Sequence, residues 1–260
     1  GDKTTWTFDN PDSRFGAKSG NAKIDYYDPW STGWGPDSTT FGNATSFNLP
    51  LAMDKDLQVM SFPACTNDQG YQLKPNFDPN GPYGESDGSV SNYTLVMDVL
   101  FPTNSMNKWH ALVQTDVTNR SDSELFINRH NGIGINSNYR GIIQPNTWHR
   151  IIWSVRAAPK EGQAQRYIDG QAIGAIGTTG SGLDARWSFV SDLLLFTDEN
   201  GETASGYVSS ISIIDRKLTH DEAVALGGVN PLGADVPGPI APPYNKFMSR
   251  VVNTLGHRGS

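Results

Sequence analysis

Hydrophobic and polar residues alternate along most of this chain, and the period is two. Tyr93, Leu95, Met97, Val99 and Phe101 fall on one side of an extended backbone, with Thr94, Val96, Asp98 and Leu100 on the other. Both sets are mostly apolar, which predicts a strand deep in a sheet with both faces covered. Shorter runs at 3–9, 57–62, 109–115, 124–128, 132–136, 139–144, 147–156, 192–197 and 206–215 predict further strands. Between Tyr167 and Ile173, Asp169-Gly170 separates two apolar arms. That dipeptide predicts a two-residue hairpin turn, because both positions must take positive φ.

Other stretches break the alternation. Residues 10–50 are rich in turn formers, and 66–90 form a long polar segment with turn signals at Asn80-Gly81 and Asp87-Gly88. One helix signal stands out near the end. Thr219 is set to cap it, Glu222 three residues later completes a capping box, and Gly227-Gly228 stops it. Five prolines lie in 231–243, which reads as an extended linker. Residues 244–260 then read as a short amphipathic helix, a tail or the edge of a following segment. The domain proper is expected at 1–230. About a dozen strands with no strand–helix alternation predict an all-β, two-sheet antiparallel sandwich with one short C-terminal helix.

Composition supports this and narrows the partners. The 260 residues include 27 glycines and 16 prolines, the mixture that many tight turns need. A net charge of −7 disfavours nucleic acid as a partner. No run of apolar residues is long enough to predict membrane insertion by a helix. Cys65 is the single cysteine, so no intrachain disulfide forms, and a buried small hydrophobe is the expected role.

Taken in order, 92–98, 112–116, 122–127, 132–135, 146–151, 166–170 and 194–196, with 215–219, Glu222 and 226–228, resemble the laminin-G-like, concanavalin-A-like jelly-roll domains of bacterial extracellular proteins. The similarity runs from about Trp6 to Gly228. It implies a secreted or cell-surface module within a larger multidomain protein. It also implies a bound Ca²⁺ and, in some members, a glycan on one concave face.

Three groups of residues carry candidate chemistry. Asp116, Asn119 and Asp122 sit at i, i+3 and i+6 in one loop; Asp198, Asn200 and Glu202 surround an Asn-Gly turn in another. Both offer the hard oxygen donors that Ca²⁺ takes. Asp9 and Asp215 would form a further acidic site if the first and last strands met. Tyr26, Tyr27, Trp30 and Trp34 form an aromatic loop segment suited to stacking on sugar rings, with Arg120, Arg129, Tyr139 and Arg140 as donors to an acidic sugar. The expected function is non-catalytic recognition of a polysaccharide with a structural calcium ion. The alternatives are a spacer that binds no sugar, and a glycoside hydrolase or polysaccharide lyase using Asp122 with Glu124, or His130 with Tyr139. The Glu-x-Asp-x-Glu pattern of concanavalin-A-like glycosidases is missing from the chain.

Overall fold

The computed structural model describes residues 2–177 and 182–240, so the expected helix or tail at 244–260 lies outside the described residues. The strands, in chain order, are β1 (Lys3–Trp6), β2 (Lys23–Tyr27), β3 (Thr40–Asn43), β4 (Gln58–Phe62), β5 (Gly70–Lys74), β6 (Asn92–Leu100), β7 (His110–Gln114), β8 (Leu125–Ile127), β9 (Ile133–Ile135), β10 (Asn138–Arg140), β11 (His149–Arg156), β12 (Gln163–Ile168), β13 (Gln171–Ile176), β14 (Leu193–Leu195) and β15 (Gly206–Ile214). Two short helices join them, α1 (Gly81–Asp87) and α2 (His220–Leu226). One sheet runs β13-β12-β11-β6-β15-β4-β3, with β1 also on β15; the other runs β10-β9-β8-β7-β14-β5-β2. Every strand pairing between these elements is antiparallel. The chain is an all-β, two-sheet sandwich.

β6 is central and buried on both faces, as its double apolar pattern requires. Tyr93, Leu95, Met97 and Val99 enter the core between the sheets with Trp153 and Ile211. Val96, on the opposite face, joins a second cluster with Ile152, Tyr167, Leu218 and Ala223, because α2 lies over that side. The capping box of α2 is formed: the Glu222 amide donates to Thr219 Oγ1, and the Thr219 amide donates to the Glu222 carboxylate. The β12–β13 hairpin turns at Asp169 (φ 52°) and Gly170 (φ 81°), the two-residue turn expected there.

On that covered face, Arg150 and Asp98 are cross-strand partners, and both are fully buried. Arg150 holds Asp98 through two hydrogen bonds (2.7 and 2.9 Å) and gives its other three donors to the carbonyls of Leu226, Gly233 and Val236. The guanidinium fork therefore ties the sheet to the segment after α2. Residues 231–240, the first part of the stretch read as an extended linker, run back over the sheet, where Ala234 is buried and Gly238 donates to Leu226.

Other elements differ from the sequence reading. β2, β3 and β5 occupy stretches dominated by turn signals. α1 stands where two turns were expected, so the described residues hold two α-helices rather than the single C-terminal one. Its composition hides it: Pro82 sits where a helix tolerates proline, Gly84 and Gly88 are poor helix formers, and no residue of it is buried. The strand expected over 139–144 is only the short edge strand β10.

Candidate functional site

β7 is paired with β8 on one side and β14 on the other. The loop leaving β7 carries Asp116 to Asp122, and the loop leaving β14 carries Asp198 to Glu202. The chain after β14 runs back along β7 and meets the segment before β8: the Ser123 amide donates to Asp198, the Ser123 hydroxyl to the Thr197 carbonyl, and the Ala111 amide to the Glu202 carbonyl. Asp122, Asp198 and Glu202 consequently converge, with one carboxylate oxygen from each lying within 4.8 Å of the others. Two loops separated by some 75 residues, each a candidate calcium loop in the sequence, contribute to one cluster.

The three carboxylates differ in surroundings. Asp198 is buried; its Oδ1 accepts from the Ser123 amide (3.0 Å), and its Oδ2 accepts from the Asn200 amide at 3.4 Å. Asp122 is exposed, and Glu202 is half-buried. Burial, and then the charges of Asp198, Asp122 and Glu199, hold the Glu202 carboxyl above its ordinary range. A bound cation would relieve that repulsion.

The remaining calcium candidates do other work. Asp116 accepts from the amide and hydroxyl of Thr118 and from the Arg120 amide. Burial pushes its carboxyl up, but those hydrogen bonds outweigh it and hold the group low. Asn119 is buried in left-handed backbone (φ 51°) and donates to Asn67 O and Thr197 Oγ1 while accepting from Gln114. It is a strut that ties this loop to Asn67 and Thr197. Asn200 is exposed at the loop tip. Asp9 and Asp215 do not meet. The first and last strands do pair, but Lys3 lies opposite Ile214 and Trp6 opposite Ile211, which sends Asp9 and Asp215 to opposite ends.

A small cleft of about 190 Å³ adjoins the acidic cluster, lined by Asp122 and Glu202 together with Trp109, Phe126 and Tyr139. The register places Ala111, Phe126, Gly134 and Tyr139 in one row across β7, β8, β9 and β10. Leu125 and Ile127 enter the core, so Phe126 between them points outward. Trp109 packs edge-on against Tyr139, with ring centroids 5.3 Å apart, and against Phe126 at 6.5 Å. Burial, and then the charges of Glu202 and Asp122, raise the Tyr139 hydroxyl well above its usual range, so it stays a hydrogen-bond donor.

The aromatic quartet expected to stack on sugar rings, Tyr26, Tyr27, Trp30 and Trp34, lies in another part of the fold. Of that quartet only Trp30 stands in solvent, at 64% exposure. Tyr26 and Trp34 pack with Phe15 and Tyr71 in an aromatic cluster at the sandwich end, and Tyr27 is buried. Trp109 and Phe126 went unnoticed as site residues because each reads as an ordinary strand position. The available signal was a pair of bulky rings flanking the two acidic loops. Arg120 and Arg129 are exposed, and Arg140 borders a different cavity.

The carboxylate pair weighed for catalysis is split by function. Asp122 and Glu124 border one polar cavity of about 480 Å³ with Arg186. Glu124 is buried, and its two oxygens are taken by the Thr115 amide (2.6 Å) and Arg186 Nε (3.2 Å). Burial pushes its carboxyl up to about 7 against those two donors. Both oxygens are thus committed to the protein, whereas a general acid needs one oriented toward substrate. His130 lies in the exposed turn before β9, and Tyr139 is opposite Gly134, four residues further along.

No family model matches the chain, and no curated protein matches it. Among solved structures, it is similar to the Trypanosoma rangeli sialidase in complex with the inhibitor DANA, at 12% identity and a TM-score of 0.46 over 66% of this chain and 27% of that one. The Botulinum Neurotoxin Type G receptor binding domain gives 13% identity and a TM-score of 0.48 over 85% and 49%. The binding domain of Paraclostridial Mosquitocidal Protein 1 gives 12% and 0.48 over 73% and 45%. The chain spans between a quarter and a half of the length of these three.

Proposed function

We propose that this domain is a carbohydrate-recognition module whose sugar lies against Trp109, Phe126 and Tyr139, beside a calcium ion held by Asp122, Asp198 and Glu202. The observation that carries the reading is the meeting of two acidic loops at the rim of an aromatic cleft. Aromatic faces take the C–H side of a sugar ring, and carboxylates accept from its hydroxyls. Calcium takes six to eight oxygen ligands, and three carboxylates plus loop carbonyls and sugar hydroxyls fit that demand. The cleft is smaller than the roughly 300–1,000 Å³ of an enclosed small-molecule site, so it suits one unit of a chain that continues across the surface. In this reading the domain is a secreted or cell-surface part of a larger protein.

Two measurements test it together. Calcium should raise the melting temperature of the wild type and leave that of Asp198→Asn much less changed, since an ion bound only by the folded state must stabilise it. On a glycan panel, Trp109→Ala should abolish binding while Trp30→Ala leaves it intact. Binding lost with Trp30→Ala and kept with Trp109→Ala would move the site to the other end of the sandwich and refute this one.

A further inference from the structure

Arg140 follows Tyr139 on β10, and successive strand residues point to opposite faces. Tyr139 turns to the acidic cleft; Arg140 turns to a separate cavity of about 560 Å³. This cavity opens at the edge of the sandwich, between β10 with its following loop and the β12–β13 hairpin. Its wall is apolar, formed by Ile142, Ile168, Ala172 and Ile173. The floor is pinned. His149 Nε2 accepts from the Gln144 amide (3.0 Å), so Nδ1 carries the proton and donates to Asp169 (2.7 Å). The second oxygen of Asp169 accepts from the Arg150 amide (2.8 Å), which leaves this one lining carboxylate fully engaged.

The charge at the rim is what singles the cavity out. Arg166 is buried between the sheets, and four of its donors go to neutral oxygens: Ile133 O, Asn138 O, Asn138 Oδ1 and Gly174 O. Arg140 stands beside it and, among the described residues, donates only to Tyr139 O. Among the described residues, neither guanidinium has a carboxylate within ion-pair distance. Burial, and then the nearby Arg140, push Arg166 down to about 10. A protein of net charge −7 thus sets an exposed arginine, Arg140, against an apolar cavity, with the buried Arg166 behind it.

We infer that this cavity binds a single-chain amphiphilic anion, with the apolar chain between Ile142, Ile168 and Ile173 and the carboxylate on Arg140. The site is independent of the glycan reading. Calorimetric titration with decanoate, below its micelle concentration, tests it against decanol of the same chain length. Decanoate should bind saturably and at least tenfold tighter than decanol. Arg140→Gln should remove that preference while leaving decanol unchanged. Ala172→Trp, which fills the cavity from an exposed position, should block both; melting temperatures of both variants verify folding. No saturable binding of decanoate, equal binding of decanol, or an Arg140→Gln variant that binds decanoate as the wild type does would each overturn the inference. Binding confined to anionic vesicles, with none to monomeric decanoate, would overturn it too and make the face a membrane contact.

Discussion

Glu202 and Glu124 both sit above the ordinary carboxylate range, and each gives a test at the scale of one side chain. Burial and then neighbouring negative charges raise Glu202. Without a cation its charge opposes folding at neutral pH, because the native chain holds its proton more tightly than the unfolded one. Glu202→Gln should therefore raise the melting temperature at pH 7 in chelator and lower it, relative to wild type, in saturating calcium. A variant less stable under both conditions would show that Glu202 is a structural carboxylate. Glu124 is raised by burial from 4.5 to about 7. Its contribution is complete below pH 4.5 and is lost as the pH climbs through 7, a change of up to about 3 kcal/mol. Glu124→Gln fixes the protonated shape, so its stability relative to wild type should improve steadily from pH 5 to pH 8 in denaturant titrations. A difference that stays constant would mean Arg186 keeps the carboxylate ionised throughout. Cys65 follows its expected role at this scale: it is buried, and burial pushes its thiol up to about 12.

At the scale of elements, legibility followed how much of the pattern was local. The Asp169-Gly170 turn, the capping box at Thr219 and the double apolar stripe of β6 each need only a few consecutive residues, and each formed as read. The hairpin turn is also mechanically committed. A methyl group added at Gly170 would lie 2.8 Å from the Gly227 backbone, in backbone that already favours glycine. Gly170→Ala should cost about 1–3 kcal/mol in denaturant unfolding; a loss under 0.5 kcal/mol, on the order of an ordinary surface change, would mean the turn relaxes freely. β2, β3 and β5 were illegible because they lie at or near the edges of their sheets, among prolines and glycines, and partner choice decides their conformation. α1 escaped for the opposite reason: with no buried face it has no hydrophobic period to read.

For the whole molecule, what the sequence could not reveal was adjacency. The residues of the acidic cluster were visible as calcium candidates, but it is the long-range contacts of Ser123 with Asp198 and of Ala111 with Glu202 that bring Asp122, Asp198 and Glu202 together. The same limit hid the packing of Tyr26 and Trp34, which turn inward against Tyr71 on β5. Adjacency also decides how the C-terminal part is held. Arg150 joins two strands, the end of α2 and the 231–240 stretch at one buried point. Arg150→Met would leave Asp98 buried and unpaired, and should cost about 3–5 kcal/mol in global stability by denaturant titration. A loss below about 1 kcal/mol, the scale of a surface ion pair, would show that the clamp is incidental.

The claim on which the function rests is that a cation and an aromatic cleft act as one site. Glycan-array binding of the wild-type domain, read in parallel with calcium and with chelator, tests it in one measurement. The account predicts binding to at least one glycan class in calcium and its loss in chelator. A domain that captures no glycan in calcium, or holds the same glycans equally well in chelator, would contradict it.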